Sequence, residues 1–229
     1  MNLAVIPARG GSKRIPRKNI REFCGRPIID YSIQAAKASG VFDRIIVSTD
    51  CEEIAAVARA CGAEVPFVRP AELSDDQTPT MPVVAHAIDW LSSQRELFDY
   101  ACCIYATAPF VDSEDLKRGF AQLTSQPQAD FVLPVTSFPF PIFRALQIEN
   151  ERLKMFWPEN ENVRSQDLPK SYHDAGQFYW GTLTAWTGKT GIYSSHTIPL
   201  VIPRYRVQDI DTLEDWARAE LLFQISSDR

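Results

Sequence analysis

The first 135 residues alternate between short apolar strands and amphipathic helices, and this alternation restricts the fold more than any other feature. Strands are predicted at residues 2–8, 44–49, 100–105 and 130–135, where apolar side chains dominate. Between these strands, apolar residues recur at the spacing that is typical of amphipathic helices. Such alternation is typical of a parallel sheet with helices on both faces. We therefore predict an α/β, Rossmann-like fold with a mostly parallel sheet, whose ligands bind beyond the carboxyl ends of the strands.

Three local signals refine this layout. Thr49 or Asp50 is predicted to cap the second helix, because a glutamate follows each of them three residues later in a capping-box arrangement. Short strands are also predicted at residues 63–68 and 205–210, from their apolar and β-branched content.

The pattern changes after Pro134, and prolines and aromatic residues are frequent in residues 138–180. Two apolar segments flank Glu149-Asn150-Glu151 and predict a β-hairpin. We interpret residues 138–175 as an inserted arm within one domain that spans residues 1–229.

Length and composition exclude several classes of protein. The 229 residues are 45% hydrophobic and 23% charged, which is ordinary for a globular domain. No apolar run approaches the roughly 20 residues of a membrane helix, and no signal-peptide core precedes the first basic run. The five cysteines are odd in number and show no C-x-x-C spacing, so structural zinc and a disulfide framework are disfavoured. We expect a cytoplasmic protein without a membrane partner.

Positive charge is concentrated in one segment. The formal net charge is −5, yet residues 9–21 contain six basic side chains and no acid, so they carry +6 and the rest carries −11. A nucleic-acid-binding domain usually spreads its basic residues over a whole face. This distribution favours a small polyanion over nucleic acid. The alternative is a solvated basic loop without a ligand.

The same segment contains a glycine-rich loop, Ile6-Pro-Ala-Arg-Gly-Gly-Ser-Lys-Arg-Ile-Pro-Arg-Lys-Asn19. The adjacent Gly10 and Gly11 let backbone N–H groups approach phosphate oxygens. Arg9, Lys13 and Lys18 add charge-assisted hydrogen bonds. Because the loop matches neither G-x-x-x-x-G-K-[ST] nor G-x-G-x-x-G, ordinary ATPases and dinucleotide enzymes are disfavoured. The alternative is a plain strand-to-helix connection.

Asp209 and Asp211 form the candidate metal site. In an extended segment their carboxylates lie on one face, where they repel each other unless a cation joins them. Mg²⁺ favours such carboxylates together with polyphosphate oxygens. The alternative is that Asp211 caps the final helix, with Glu214 three residues later.

The glycine-basic loop resembles a family signature, I-P-A-R-x-G-S-K-x-x-x-x-K-N, at every fixed position. This is the signature of the acylneuraminate and 3-deoxy-manno-octulosonate cytidylyltransferases, and the resemblance extends over about residues 3–222. It implies a nucleotide-diphospho-sugar transferase fold, CTP as substrate, Mg²⁺ as cofactor and a homodimer in which residues 138–175 form the dimerisation arm.

The resemblance also implies individual roles. Arg69 opens an R-P-x-x-L segment whose arginine reaches the cytosine, Thr80 matches a hydroxyl residue near the nucleoside, and Asp209-Ile-Asp211 matches a metal-binding D-x-D. Tyr105 stands where sialate enzymes have glutamine. The implied nucleotide site comprises Ala8, Arg9, Gly10, Gly11, Ser12, Lys13, Lys18, Asn19, Arg69 and Thr80.

Residues 164–181 indicate which sugar the resemblance implies as substrate. Residues 176–180 read Gly-Gln-Phe-Tyr-Trp, which resembles the branch of the family that acts on pseudaminic acid. Gln166 and Tyr172 resemble the general nonulosonate pattern. The implied sugar-binding residues are Tyr105, Gln166, Tyr172, Gln177, Phe178 and Tyr179. The alternative for the aromatic residues is that they fill the core of a strand.

The implied reaction joins CTP and a nonulosonic acid, giving a CMP-sugar and pyrophosphate. Arg9, Lys18 and Asp211 are the expected catalytic residues, and either Asp211 or a metal-bound water is the general base. Two alternatives remain. One is a related enzyme for sialic, legionaminic or octulosonic acid, and the other is a non-catalytic module that binds a cytidine nucleotide.

Overall fold

Strands and helices alternate through the amino-terminal part of the chain, as the sequence predicts. The computed structural model describes residues 1–227. The strands are β1 (Asn2–Pro7), β2 (Glu22–Phe23), β3 (Arg26–Pro27), β4 (Arg44–Ser48), β5 (Tyr100–Ile104), β6 (Phe131–Ser137), β7 (Leu146–Glu149), β8 (Arg152–Met155), β9 (Tyr172–Asp174), β10 (Phe178–Thr182) and β11 (Thr197–Val201). The α-helices are α1 (Ile28–Ser39), α2 (Glu52–Ala60), α3 (Thr80–Ser93), α4 (Ser113–Ser125), α5 (Leu183–Thr187) and α6 (Leu213–Ser227).

A seven-stranded sheet organises the molecule. Its order is β11-β6-β10-β5-β1-β4, with β9 paired to β6. β1 is parallel to β4 and β5, and β6 is parallel to β11, whereas β10 runs antiparallel to both β5 and β6. The sheet is therefore mixed and mostly parallel, which confirms the predicted fold class.

Helices cover both faces of the sheet because successive strand side chains point in opposite directions. In β1, Ala4 and Ile6 pack in one cluster with residues of α1, α2 and α4, whereas Leu3 and Val5 pack in a second cluster with α3 and α5. Burying one such aliphatic side chain contributes about 1.5–3 kcal/mol to folding. A smaller third cluster joins the loop after β1 to α6 through Ile15, Phe23 and Trp216.

Two predicted strands are wrong. Residues 63–68 pair with the sheet only through an isolated bridge between Glu64 and Ile46, because Pro66 has no N–H to continue a ladder. Residues 205–210 form the end of a short 3₁₀ helix (Arg204–Arg206) and then irregular backbone, in which Ile210 is buried against α6. β11 was not predicted because it contains Pro199. As the edge strand of the sheet it tolerates this proline.

The predicted cap of α2 is also wrong. Cys51 occupies the N-cap position without a side-chain hydrogen bond. The Thr49 hydroxyl accepts the Cys51 N–H (3.1 Å), and the Asp50 carboxylate turns away toward the loop after β1. α2 ends at a glycine, since Gly62 adopts a left-handed conformation (φ 89°) directly after the Cys61 C-cap.

Residues 138–171 leave the sheet and carry the predicted hairpin. β7 and β8 pair in antiparallel fashion across Asn150 and Glu151, both of which have positive φ. The chain returns to the sheet through β9, which pairs with β6. Within residues 1–227, no helix combines the length and apolar character that a membrane crossing requires.

Candidate functional site

Two adjoining cavities lie where β1 and β5 end, at the edge of the sheet that the alternation pattern predicts. The first encloses about 300 Å³ and the second about 590 Å³. They share four residues, which are Lys18, Tyr105, Thr107 and Asp211. The site can therefore hold two ligands side by side, with these four residues at the junction.

The glycine-basic loop supplies one wall of the first cavity. Its predicted residues on that wall are Arg9, Ser12, Lys13, Lys18 and Asn19. The Asn19 side chain holds the loop in place, because its Nδ2 donates to the Arg9 carbonyl (2.9 Å).

Ala8, Gly10 and Gly11 do not belong to the cavity wall. Ala8 is fully buried and extends the ladder to β4 through its N–H, which donates to the Ser48 carbonyl (2.9 Å). The Gly10 N–H donates to Asp50 Oδ1 (2.8 Å) instead of facing the cavity. This corrects the expected phosphate contact of Gly10, whose function here is to anchor the loop on the end of β4.

Replacing Gly10 with alanine is expected to destabilise the loop. A Cβ built on Gly10 would lie 2.9 Å from the Cys51 Cβ, whereas one on Gly11 would meet only the end of the Arg9 side chain, at 4.0 Å. Overpacking of this kind costs about 1–3 kcal/mol. Urea unfolding of the Gly10→Ala and Gly11→Ala variants measures the difference. Equal free energies of unfolding would show that the Cys51 contact does not constrain the loop.

Basic and acidic side chains are paired across the cavities. Arg9 and Lys13 both form ion pairs with Asp76, and these two partners, Lys13 first, lower the pKa of the Asp76 carboxyl. On the opposite side, Asp211 Oδ1 lies 2.8 Å from Arg14 Nη2 and 3.5 Å from Lys18 Nζ. The basic side chains of the loop are thus paired with two carboxylates, those of Asp76 and Asp211.

Arg69 is the most deeply buried charge of the site. It is 4% exposed, and in the described part of the chain its Nε and Nη2 atoms have no hydrogen-bond partner. Asp50 Oδ1 lies 3.8 Å from Nη2, which is beyond hydrogen-bond distance. Burial lowers the pKa of the Arg69 guanidinium. Arg69 and Thr80 both line the first cavity, so a polar ligand there would lie beside a buried guanidinium and a hydroxyl.

Tyrosines and Asp174 form the second cavity. The Tyr105 hydroxyl lies 3.1 Å from Thr80 Oγ1, and its ring meets the Tyr179 ring edge to face at 5.5 Å. The hydroxyls of Tyr179 and Tyr193 both donate to Asp174 Oδ2, the latter at 2.7 Å. Burial raises the pKa of Tyr179 well above its usual value, and that of Tyr193 to about 12. These phenols therefore stay protonated at neutral pH and act as hydrogen-bond donors.

Four predicted sugar-binding residues lie outside both cavities. Phe178 is fully buried on the core side of β10, which corrects its predicted contact, because alternation along the strand directs only Tyr179 to the cavity. Gln177 is 3% exposed, and its side chain bonds to backbone away from the cavity. Gln166 and Tyr172 lie on the arm and line neither cavity of this chain.

The donor set at Asp209 and Asp211 fits a magnesium ion that also binds its substrate. Asp211 reaches both cavities, and Asp209 lines the second. Residues 1–227 contain no cluster of three metal-ligating side chains. Mg²⁺ is usually held in this way, by one or two carboxylates and phosphate oxygens. Asp211 does not cap α6. The Asp215 carboxylate instead accepts the Asp211 and Thr212 N–H groups (3.1 and 2.8 Å).

Sequence reasoning missed four residues of the site, Asp50, Asp76, Thr107 and Asp174. Asp50 and Thr107 lie two and three residues after the buried strands β4 and β5, so their position in the chain could have identified them. Asp76 lies in a loop and Asp174 ends β9, neither of which the strand pattern locates, and their proximity to the site depends on tertiary structure.

Comparisons with known proteins found a matching family and similar proteins. A family model described as cytidylyltransferase matches residues 3–207. A pseudaminic acid cytidylyltransferase of Campylobacter jejuni subsp. jejuni serotype O:2 is 47% identical over 226 residues, covering 98% of this chain and 97% of the relative. A CMP-N,N'-diacetyllegionaminic acid synthase of Legionella pneumophila subsp. pneumophila is 31% identical over 229 residues, covering 99% and 97%.

A solved structure shares the fold. CMP:2-keto-3-deoxy-manno-octonic acid synthetase, complexed with CTP, has a TM-score of 0.71 at 13% identity. The match covers 98% of this chain and 99% of that one.

Proposed function

This chain belongs to the cytidylyltransferase family, and we propose that it transfers CMP from CTP to pseudaminic acid, releasing pyrophosphate. The observation that carries the proposal is the pair of cavities joined at Lys18, Tyr105, Thr107 and Asp211. The first cavity offers basic side chains and the buried donors of Arg69, which suits a nucleoside triphosphate. The second offers tyrosine and aspartate hydrogen-bonding groups, which suits a sugar.

The proposed reaction is an in-line displacement at phosphorus. The anomeric oxygen of the sugar bonds to the α-phosphorus of CTP, the bond from that phosphorus to the bridging oxygen breaks, and pyrophosphate leaves with the electron pair. The hydroxyl proton passes to a base at the junction of the cavities, where Asp211 lies. Holding both reactants in this geometry supplies much of the rate enhancement in such reactions.

The basic loop offsets charge during the displacement. Lys18 lines both cavities and is only 18% exposed, so solvent screens it weakly. We propose that Arg9 and Lys13 contact the outer phosphates once their pairing with Asp76 is exchanged for the ligand. Preorganised cations of this kind favour the transition state over the ground state when charge grows on the oxygens they face.

We propose that Asp209 and Asp211 hold Mg²⁺ together with phosphate oxygens. When bound, the ion supplies Lewis-acid polarisation of a phosphate oxygen. Asp211 also lies beside Arg14 and Lys18, so its carboxylate links the glycine-basic loop to the segment that precedes α6.

A pyrophosphate-release assay tests the function. The protein is incubated with CTP, Mg²⁺ and, in separate reactions, pseudaminic, legionaminic, sialic or octulosonic acid. We expect the highest kcat/KM with pseudaminic acid and a CMP-sugar product. Preference for another of these sugars would overturn the proposed substrate. Nucleotide binding without pyrophosphate release from any of them would indicate a non-catalytic module.

We propose that the enzyme works in the cytoplasm. All five cysteines are free thiols, and Cys102 and Cys103 are fully buried in β5. Free cysteines of this number are typical of proteins that function in a reducing compartment.

We also propose that the chain is a homodimer assembled through the arm. On the hairpin, Leu146 and Ile148 of β7 pair across the ladder with Met155 and Leu153 of β8, so these apolar side chains share one face. Ile148 is 78% and Leu153 71% exposed. An exposed apolar face of this kind is typical of a subunit interface. In a dimer, Gln166 and Tyr172 on the arm would be available to the partner's second cavity.

Replacing Ile148 with aspartate is expected to convert a dimer into monomers, because a buried unpaired carboxylate opposes association. Light scattering measures the molecular mass of the wild type and the variant. Gln147→Asp, on the opposite face of the hairpin, is the matched control and should leave the mass unchanged. A wild-type monomer, or an unchanged mass for Ile148→Asp, would contradict this interface.

A further inference from the structure

The Gln177 side chain contacts the segment that carries Asp209 and Asp211. Gln177 directly precedes β10 and is 3% exposed. Its Nε2 donates to the Arg206 carbonyl at 2.6 Å, while its Oε1 has no hydrogen-bond partner among residues 1–227. The contact with Arg206 is therefore the polar interaction that orders this buried amide.

The side chain of Arg206 is held in place as well. Its guanidinium forms an ion pair with Asp115 of α4, which is 2% exposed, and lies 3.4 Å from Asp112 Oδ2. Asp115 also pairs with Arg118 at 2.8 Å. A buried carboxylate needs such partners, so the position of Arg206 is fixed against α4. Both the backbone and the side chain of Arg206 are thus tied to the sheet-and-helix core.

The backbone of Gln177 reaches the other side of the site. Its carbonyl accepts the Tyr105 N–H at 2.9 Å, immediately after β5 ends. Tyr105 lines both cavities. Gln177 therefore connects Tyr105, which lines both cavities, to the segment 207–211. This segment has no regular secondary structure.

We propose that Gln177 is a positioning residue for the two aspartates, acting through Arg206, and that it does not contact the sugar. The inference rests on the proposed function, because it concerns the carboxylates assigned to Mg²⁺. The Gln177 amide fixes the Arg206 carbonyl, which directly precedes the segment 207–211. The ion pair with Asp115 fixes the side chain of Arg206. The segment then presents Asp209 and Asp211 with little freedom.

The test compares Gln177→Leu with a matched control, Gln34→Leu. Leucine fills a similar volume but donates no hydrogen bond. Gln34 also donates through Nε2 to a backbone carbonyl, that of Cys61 (3.0 Å), but it belongs to α1, bonds to the end of α2 and lines neither cavity. Three quantities are measured: the Mg²⁺ concentration for half-maximal rate, the KM values for CTP and sugar, and amide hydrogen exchange of residues 204–211 in metal-free protein.

For Gln177→Leu we expect the half-saturating Mg²⁺ concentration to rise about 10- to 100-fold, the range for loss of groups that orient metal ligands. The KM for the sugar should stay within twofold, and residues 204–211 should exchange faster than in the wild type. Gln34→Leu should match the wild type in all three. A raised KM for the sugar with unchanged Mg²⁺ dependence and exchange would overturn the inference and restore the sugar contact.

Arg206→Met keeps the inference testable if Gln177→Leu does not fold. It removes the ion pair to Asp115 and should reproduce the Mg²⁺ and exchange effects, while an unchanged Mg²⁺ dependence would count against the proposal. Failure of the proposed function is separately visible, since the wild type would then release no pyrophosphate. The exchange measurement on metal-free protein still reports whether Gln177 orders the segment.

Discussion

Replacing Asp211 with asparagine is expected to lower the rate of pyrophosphate release by about 10²- to 10³-fold or more, the range for removing one preorganised electrostatic contact. Asn is close to Asp in shape, so the cavities should keep their form. The substitution removes the carboxylate that Arg14 and Lys18 contact and that, in the proposed site, holds Mg²⁺ with Asp209. Because Asp211 lines both cavities, no neighbouring carboxylate can take its place without moving the segment.

Steady-state assays over a range of Mg²⁺ concentrations measure this loss. Asp89→Asn, on the exposed surface of α3, is the control for an isosteric loss of charge and should retain full activity. Wild-type activity that persists with EDTA would show that the reaction needs no divalent ion. Full activity of the Asp211→Asn variant would remove this residue from the mechanism.

Replacing Lys18 with alanine is expected to reduce kcat by a similar factor, about 10²- to 10³-fold, with a smaller rise in the KM for CTP. The reason is that charge at the phosphorus oxygens increases as the bond to pyrophosphate breaks, so a fixed cation stabilises the transition state more than bound CTP. Lys18 is the cation of the glycine-basic loop that lines both cavities.

Separate determination of kcat and KM distinguishes these effects. Lys189→Ala, at an exposed position after α5, is the control, and Lys18→Arg tests whether charge alone suffices. A large rise in the KM with unchanged kcat would mean that Lys18 only binds the ground state. Unchanged turnover would contradict any catalytic role.

The fold was predictable where one periodicity dominates. β1, β4, β5 and β6 are apolar runs between amphipathic helices, so their order along the chain identifies a mostly parallel sheet. The two wrong strands and the missed β11 have local causes. Pro66 interrupts pairing in a segment whose side chains favour a strand, and Pro199 lies in a real strand that only its edge position makes possible.

The site was predictable to the extent that its residues follow strand ends or belong to one continuous loop. Lys13, Lys18, Arg69, Thr80 and Asp211 meet at the first cavity as the sequence predicts. Residues around β10 were harder, because a short motif does not say which side chain faces the ligand. There, Tyr179 points to the cavity, Phe178 fills the core and Gln177 bonds to backbone.

The Asp76 carboxylate pairs with two of the basic side chains that a polyanion would contact in the proposed site. It already neutralises Arg9 and Lys13, so a polyphosphate that enters exchanges one set of ion pairs for another. We expect an anion that binds Arg9 and Lys13 to compete with Asp76 for both cations, so its affinity should depend on the charge that it carries.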